Sequence, residues 1–98
     1  MAEEQGADVT VNVRIRGRVQ GVWYRAWTEE QAARRGLRGW VRNRRDGSVE
    51  ALFCGPAAVV QDMIDACWKG PPAARVESVE QSAAADFKGS GFEMRMSE

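Results

Sequence analysis

Apolar and polar residues alternate strictly near the start of the chain, and this period of two predicts a strand with one buried face. The strand covers residues 9–16, and its apolar positions are Val9, Val11, Val13 and Ile15. A loop with a glycine at each end, Gly17 and Gly21, follows the strand. Residues 22–35 then predict a helix that Gly36 closes in the position after the C-cap. Its apolar side is imperfect and comprises Trp23, Ala26, Trp27 and Ala33.

A hairpin and a second helix are predicted in the middle of the chain. Residues 38–45 and 48–53 predict two strands, because Asp46-Gly47 between them favours a two-residue turn in which both residues have positive φ. Gly55-Pro56 begins the second helix, with Pro56 in its first position. Gly70-Pro71-Pro72 ends this helix. Its apolar stripe has regular helical spacing and comprises Val60, Met63, Ile64 and Cys67.

The last part of the chain predicts two short strands. Residues 75–80 form the first, with a bulge because Val76 and Val79 break period two. A loop over residues 81–91 follows, and the final strand alternates at Phe92, Met94 and Met96. The order β-α-β-β-α-β with a short extra strand predicts an α+β, ferredoxin-like split βαβ fold, in which two helices pack on one face of a mostly antiparallel sheet. We expect residues 1–7 to form a flexible tail and residues 8–98 a single domain.

Composition adds a set of exclusions. The 98 residues include no histidine, which excludes Ser-His-Asp and Cys-His catalysis as well as histidine zinc ligands. Cys54 and Cys67 are too few for a Cys-only zinc site. The sequence shows no signal-peptide pattern and no apolar run of membrane-spanning length. We therefore expect a cytoplasmic protein without a membrane partner, with reduced thiols rather than the alternative 54–67 disulfide.

The formal charge of zero conceals an uneven distribution. Residues 14–45 carry ten arginines against two glutamates, whereas residues 46–98 carry four basic and nine acidic residues. A basic segment indicates either an anionic partner or a solvated surface. Ferredoxin-like sheets with basic and aromatic surfaces bind RNA, so a nucleic-acid-binding module is an alternative function. The sequence contains no RNP1-like motif, and its acidic second half weakens this alternative.

The loop from Gly17 to Gly21 joins a predicted strand to the start of a predicted helix, and this arrangement favours an anion site. Backbone N–H groups there have no partner within the helix, and the helix dipole adds partial positive charge. Arg25 follows in the first helical turn, where it is either a solvated residue or a phosphate ligand. Asn43, shortly before the hairpin turn, is either a turn residue bonded to its own backbone or a site residue.

Two longer motifs favour the site interpretation. Gly17-Arg18-Val19-Gln20-Gly21-Val22-Trp23-Tyr24-Arg25, followed by Gly39-Trp40-Val41-Arg42-Asn43, resembles the two signature motifs of the acylphosphatase family. The likeness runs from about Val11 to Met96. It implies hydrolysis of the carboxyl–phosphate bond of small acyl phosphates, with release of inorganic phosphate and without a metal or organic cofactor. The resemblance also implies a phosphate ligand at Arg25, a water-orienting residue at Asn43 and a substrate cradle of Arg18, Val19, Gln20, Gly21, Val22 and Trp23.

The chain departs from the family pattern in two places. Tyr24 stands where phenylalanine is frequent, so its hydroxyl, if buried, needs a hydrogen-bond partner. Arg44 and Arg45 follow Asn43, where many members carry small hydroxyl residues. Two further alternatives are a carbamoyl phosphate-processing unit of a larger enzyme and a structural protein in which the motifs serve only the fold. We expect a monomer, with Trp40 in the core, Trp27 and Trp68 at least half-buried, and Trp23 beside the cradle.

Overall fold

A computed structural model describes residues 8–97, so the tail predicted over residues 1–7 lies outside the described residues. The elements in chain order are β1 (Asp8–Arg18), α1 (Tyr24–Arg34), β2 (Arg38–Asn43), β3 (Val49–Pro56), α2 (Ala57–Cys67), β4 (Arg75–Ala83) and β5 (Phe92–Met94). The strands form one sheet in the order β4-β1-β3-β2-β5. All neighbours are antiparallel except β2 and β5, which are parallel. The predicted α+β ferredoxin-like fold is confirmed.

The core lies between one face of the sheet and the two helices. Successive residues of a strand point to opposite faces, and the register places Val13 of β1 and Val41 of β2 opposite Ala51 of β3, so these three share a face. All three are fully buried. The helices cover this face with Tyr24 and Ala32 of α1 and with the predicted stripe of α2, Val60, Met63, Ile64 and Cys67.

Helix α1 uses a different face from the one its sequence predicts. Its buried residues are Tyr24, Thr28 and Ala32, which are spaced by four, whereas Ala26 and Ala33 are exposed. Thr28 occupies a core position because its hydroxyl donates to the Tyr24 carbonyl oxygen at 2.8 Å, which satisfies a buried polar group. The predicted end of this helix at Gly36 is confirmed. Gly36 has φ +70, and the amides of Gly36 and Leu37 donate to carbonyl oxygens of the last turn.

The hairpin between β2 and β3 has a longer turn than predicted. The Arg44 amide donates to the Ser48 carbonyl oxygen, which closes a loop of residues 45–47. Within this loop only Gly47 has a positive φ, of +92, so the prediction of a two-residue turn with both residues at positive φ is wrong. Asp46 instead accepts hydrogen bonds from the Ser48 amide and hydroxyl, and this local bond favours the three-residue loop.

The first strand extends farther than predicted and includes Gly17. The β1–β4 register shifts between Arg16 and Gly17, which confirms the predicted bulge in β4. Gly17 has φ +126, and a β-carbon there would clash with the Arg75 carbonyl oxygen of β4. The strand can therefore pass the bulge only because this residue is glycine. The prediction that Pro56 is the first residue of α2 is wrong. Pro56 is the last residue of β3 and the N-cap of α2.

The opposite face of the sheet carries Trp40 and the arginines. Trp40 is buried, as predicted, but it pairs with Leu52 and lies away from the helices. The guanidinium carbons of Arg42 and Arg95 each lie 4.9 Å from its ring centroid, so cation–π contacts cover it. The alternation predicted for the last strand is confirmed only at Phe92, which stacks on Phe53 with ring centroids 5.7 Å apart.

Candidate active site

The segment between β1 and α1 has the backbone shape of an anion-binding nest. Gly21 has φ +75 and Trp23 has φ +69, while Val22 between them does not have a positive φ. Such alternation turns successive amide N–H groups towards one point. Trp23 is the N-cap of α1 and the only non-glycine residue with a positive φ among residues 8–97. A bulky residue in this conformation is strained, and such strain concentrates at functional sites.

The amides of this nest are free to bind a ligand. Within the part of the chain that the structure describes, no backbone N–H of residues 19–23 donates to a backbone or side-chain acceptor. Helix α1 has no side-chain cap, and its first turn carries no acidic residue. The positive end of the helix dipole therefore faces the same point as the free amides. This combination suits a phosphate group.

Arg25 and Asn43 meet at a cavity beside the nest. Its volume is about 350 Å³, and its lining comprises Val19, Gly21, Trp23, Tyr24, Arg25, Ala26, Asn43 and Met94. Arg25 belongs to the first turn of α1. Asn43 is the last residue of β2 and shares the helix-covered face with Val41. The end of the strand thus brings an amide side chain to the start of the helix.

The side chains of Arg25 and Asn43 differ in how they are held. Arg25 Nη1 donates to the Arg95 carbonyl oxygen at 3.5 Å, which leaves most of the guanidinium donors free. Among the described residues, no hydrogen bond holds the Asn43 side chain, so it does not bond to its own backbone as a turn asparagine would. Both groups therefore remain available to a ligand in the cavity.

The predicted cradle residues divide into two groups. Val19, Gly21 and Trp23 line the cavity, whereas the side chains of the other three lie elsewhere. Arg18 is exposed at the end of β1, and Val22 is 5% exposed in the core.

Gln20 stabilises the loop rather than the ligand. Its Nε2 donates to the carbonyl oxygens of Arg44 and Ser48 at 2.7 and 2.8 Å. These bonds fix the nest against the β2–β3 hairpin, and therefore against the strand that ends in Asn43. Gln20 and Val22 can reach a ligand only through their backbone amides.

Two parts of the site have no signal in the sequence. Met94 lines the cavity, and the Arg95 carbonyl holds Arg25. Both come from the end of the chain, which reaches the site because β5 pairs in parallel with β2 and the Arg95 amide donates to the Val41 carbonyl oxygen. This pairing links residues far apart in sequence, and a three-residue strand does not specify its partner.

Tyr24 joins the site to the core. Its hydroxyl donates to the Cys67 carbonyl oxygen at 2.6 Å, so the predicted need for a partner is confirmed. Burial raises the pKa of the Tyr24 hydroxyl far above its usual value and raises the pKa of the Cys67 thiol to about 12. Both groups are therefore neutral near pH 7 and provide no base, and the Tyr24 proton is held by the Cys67 carbonyl oxygen. Cys67 and Cys54 are both buried and unpaired with each other.

Acidic residues neutralise much of the basic segment. Glu50 accepts from Asn12, Arg42 and Arg44 at 2.9–3.1 Å. Although burial raises the pKa of Glu50, these hydrogen bonds and charges lower it below its usual value overall. Asp46 binds Arg14 and Arg16, and its hydrogen bonds from Ser48 lower its pKa to about 2.

These ion pairs weaken the nucleic-acid alternative, because four of the arginines that would contact phosphates are bound to Glu50 of β3 or to Asp46 of the β2–β3 loop. Arg44 also lies with its guanidinium on Glu50, away from the cavity. Only Arg45, of the two unusual arginines after Asn43, is exposed.

Known proteins share both the sequence and the fold. A sequence model of the acylphosphatase family matches residues 11–94. The chain belongs to the acylphosphatase family. An acylphosphatase of Nitrobacter hamburgensis is 60% identical over 78 residues, 80% of this chain and 79% of that one. An acylphosphatase of Rhodospirillum rubrum is 54% identical over 88 residues, 90% of this chain and 97% of that one. The solved structure of an acylphosphatase from Coxiella burnetii is 30% identical, has a TM-score of 0.88, and covers 97% of this chain and 100% of that one.

Family membership agrees with the site as built from its residues. The family resemblance stated from the two motifs is confirmed, and the cavity lies where those motifs meet. Over residues 8–97, no helix is long and apolar enough to cross a membrane. The same part of the chain contains no group of three or more side chains suited to holding a metal ion.

Proposed function

We propose that this acylphosphatase-family chain hydrolyses the carboxyl–phosphate bond of small acyl phosphates at the cavity between the nest and the end of β2. One observation carries the proposal. Arg25 and Asn43, 18 positions apart in sequence, line a single cavity next to a run of amides that have no hydrogen-bond partner among residues 8–97. A cationic fork, a neutral amide and free N–H donors form a site for an anion and a water molecule.

The nest and Arg25 bind the phosphoryl group. The amides of residues 19–23 donate to its oxygens, and Arg25 adds charge-assisted hydrogen bonds from its guanidinium. Phosphoryl transfer through a loose transition state spreads charge over the equatorial oxygens. Donors already held in place by the fold stabilise that charge without rearranging. Gln20 contributes indirectly, because it fixes the nest to the hairpin.

Asn43 orients the attacking water. Its carboxamide oxygen accepts a hydrogen bond from water and its NH₂ group donates one, so the water oxygen is directed at phosphorus. The new bond forms between this oxygen and phosphorus, while the bond from phosphorus to the acyl oxygen breaks and its electron pair leaves with the carboxylate. An asparagine is not a base, so the proton of the water passes to a phosphate oxygen of the substrate.

The leaving group explains why this site needs no histidine. A carboxylate leaves as the conjugate base of an acid with a pKa of about 4, so it departs without a proton. The alkoxide released from a phosphate monoester is far more basic and requires an acid or a metal ion. Tyr24, which lines the cavity, is neutral near pH 7, and its hydroxyl proton is donated to the Cys67 carbonyl oxygen. The site is therefore suited to acyl phosphates and not to monoesters.

Two substitutions test the two roles separately. Arg25→Ala should abolish both turnover and inhibition by inorganic phosphate, since it removes the cation that binds the product as well as the substrate. Asn43→Ala should lower kcat by about a hundredfold or more while inhibition by phosphate persists. The matched controls are Arg34→Ala, an exposed arginine of the same helix, and Gln61→Ala, an exposed amide of α2. Near-native kcat in the Asn43 variant would contradict the water-orienting role.

Several predictions from the sequence accompany this proposal. The protein is expected to act as a monomer in the cytoplasm, on a small acyl phosphate, without a cofactor and without a nucleic-acid partner. The ion pairs of Glu50 and Asp46 support the last of these, because they occupy the arginines that a nucleic acid would contact.

A further inference from the structure

Two large apolar side chains border the cavity and are exposed. Trp23 is 81% exposed and Met94 is 42% exposed, and both line the cavity that contains Arg25 and Asn43. Only four large hydrophobic residues are this exposed among residues 8–97, the other two being Trp68 and Met96. Exposed apolar surface that is concentrated at a cavity is typical of ligand contact.

The fold itself gives no reason for a tryptophan at position 23. Trp23 makes no ring contact with another aromatic residue in the described part of the chain, whereas its neighbour Tyr24 packs against Trp27. Its backbone has φ +69, a conformation in which glycine or asparagine would be less strained. A bulky side chain is therefore held at a place where it adds strain and little packing.

The cavity is lined by both polar and apolar groups. Arg25, Asn43 and the nest provide polar groups, while Trp23, Ala26 and Met94 provide apolar surface. Its volume of about 350 Å³ lies at the lower end of the range of about 300–1,000 Å³ for small-molecule sites. A phosphate group bound by the polar groups leaves the apolar side chains available to the acyl group.

We propose that Trp23 and Met94 form an acyl-binding wall, so that the enzyme prefers acyl phosphates with an aromatic or other bulky apolar acyl group over acetyl phosphate. This inference rests on the proposed function and concerns the substrate class of that site. The indole face and the thioether contact an aromatic acyl group by offset stacking and sulfur–aromatic contact. An acetyl group is too small to use most of this surface.

The contact with the wall is made equally in the bound substrate and in the transition state, because the acyl group does not change its position during phosphoryl transfer. Such uniform binding alters KM and leaves kcat largely as it is. The signature of the wall is therefore the ratio of kcat/KM for benzoyl phosphate to kcat/KM for acetyl phosphate, with the difference carried by KM.

The test compares this ratio in the unaltered enzyme, Trp23→Asn, Trp23→Phe, Met94→Ala and Trp68→Ala. Asparagine keeps the left-handed backbone of position 23 without the ring. We expect Trp23→Asn to lower the ratio roughly three- to tenfold, through a higher KM for benzoyl phosphate. Trp23→Phe should retain most of the ratio, and Met94→Ala should lower it less than Trp23→Asn does. Trp68→Ala removes an exposed tryptophan outside the cavity and should leave the ratio as it is.

Inhibition by inorganic phosphate provides the internal control, since phosphate has no acyl group. If Trp23→Asn lowered activity towards both substrates equally and also weakened phosphate inhibition, Trp23 would shape the nest and the acyl-wall inference would be overturned. A ratio that none of the variants changes would also overturn it, while acyl phosphate hydrolysis itself would stand. Failure of the unaltered enzyme to hydrolyse either substrate would instead overturn the proposed function, and the inference with it.

Discussion

Replacing Tyr24 by phenylalanine removes one oxygen atom from the contact between the two helices. The Tyr24 hydroxyl donates to the Cys67 carbonyl oxygen at 2.6 Å, and the side chain is 1% exposed. Cys67 ends α2, so its carbonyl has no partner within the helix. A buried acceptor left unsatisfied lowers stability by about 1–3 kcal/mol. We expect Tyr24→Phe to lower the free energy of unfolding by about 2 kcal/mol.

The loss of stability caused by Tyr24→Phe should become smaller as the pH rises above about 10. The pKa of Tyr24 is raised far above its usual value in the folded protein because burial disfavours the phenolate. Below the unfolded pKa of about 10 its contribution is fully present, and as pH rises above that value the unfolded chain gains a phenolate that the folded chain cannot form. The unaltered protein loses up to about 1.4 kcal/mol per pH unit there. The difference in free energy of unfolding between the unaltered protein and Tyr24→Phe therefore disappears within about two pH units above 10.

Urea unfolding followed by tryptophan fluorescence measures the effect. With a typical slope of about 2 kcal/mol per molar urea, the midpoint should fall by about 1 M at neutral pH. Ser82→Ala, which removes an exposed hydroxyl of β4, is the matched control and should change stability by less than about 0.5 kcal/mol.

The chain has a single tyrosine, so tyrosinate absorbance reports this residue alone. We expect this absorbance to develop only as the protein unfolds. Tyrosinate that forms near its usual pKa while the far-ultraviolet circular dichroism stays native would show that the Tyr24 hydroxyl is not buried and bonded as described.

Three further outcomes are expected. Gly47→Ala should lower the free energy of unfolding, measured in urea, by about 1–2 kcal/mol. Gly17→Ala should lower it by more, because only a β-carbon at position 17 would clash with the β4 backbone; equal losses would show that this clash does not matter. Glu50→Gln should destabilise by about 2 kcal/mol at pH 7. Because the folded pKa of Glu50 is lowered, this difference should shrink as pH falls below about 4.3, and a pH-independent difference would argue against it. The pH profile of kcat should show no inflexion near 6.5 from a protein group, since the chain lacks histidine. The measurement is kcat against pH with a substrate that does not itself ionise in this range, and an inflexion near about pH 6.5 would contradict the expectation.

The sequence predicts helix α2 better than α1 for a physical reason. Val60, Met63, Ile64 and Cys67 are all apolar and all buried, so the pattern and the packing agree. In α1 a core position is taken by Thr28, whose hydroxyl donates to the helix backbone. Trp23, just before this helix, is exposed although tryptophan is a typical core residue. Hydrophobic periodicity cannot distinguish a tryptophan that packs from one that lies at a cavity.

The candidate site divides in a similar way. Arg25, Asn43 and the nest belong to two continuous motifs, and the resemblance of these motifs to the acylphosphatase family is what implies a site there; the local sequence alone leaves each residue with an alternative role. Met94 and the Arg95 carbonyl reach the site through the parallel pairing of β5 with β2, which depends on the whole sheet. The longer loop at Gly47 forms because Asp46 bonds to Ser48 and does not adopt a positive φ. These are tertiary or side-chain effects that a local pattern does not contain.

The proposed activity is metal-independent, acyl-selective hydrolysis at a site built from Arg25 and Asn43. The most direct measurement compares hydrolysis of benzoyl phosphate and of an aryl phosphate monoester by the purified chain, each with and without EDTA. We expect rapid hydrolysis of the acyl phosphate that EDTA does not change, and negligible hydrolysis of the monoester. Hydrolysis of both substrates at similar rates with loss of activity in EDTA, or no hydrolysis of the acyl phosphate, would contradict it.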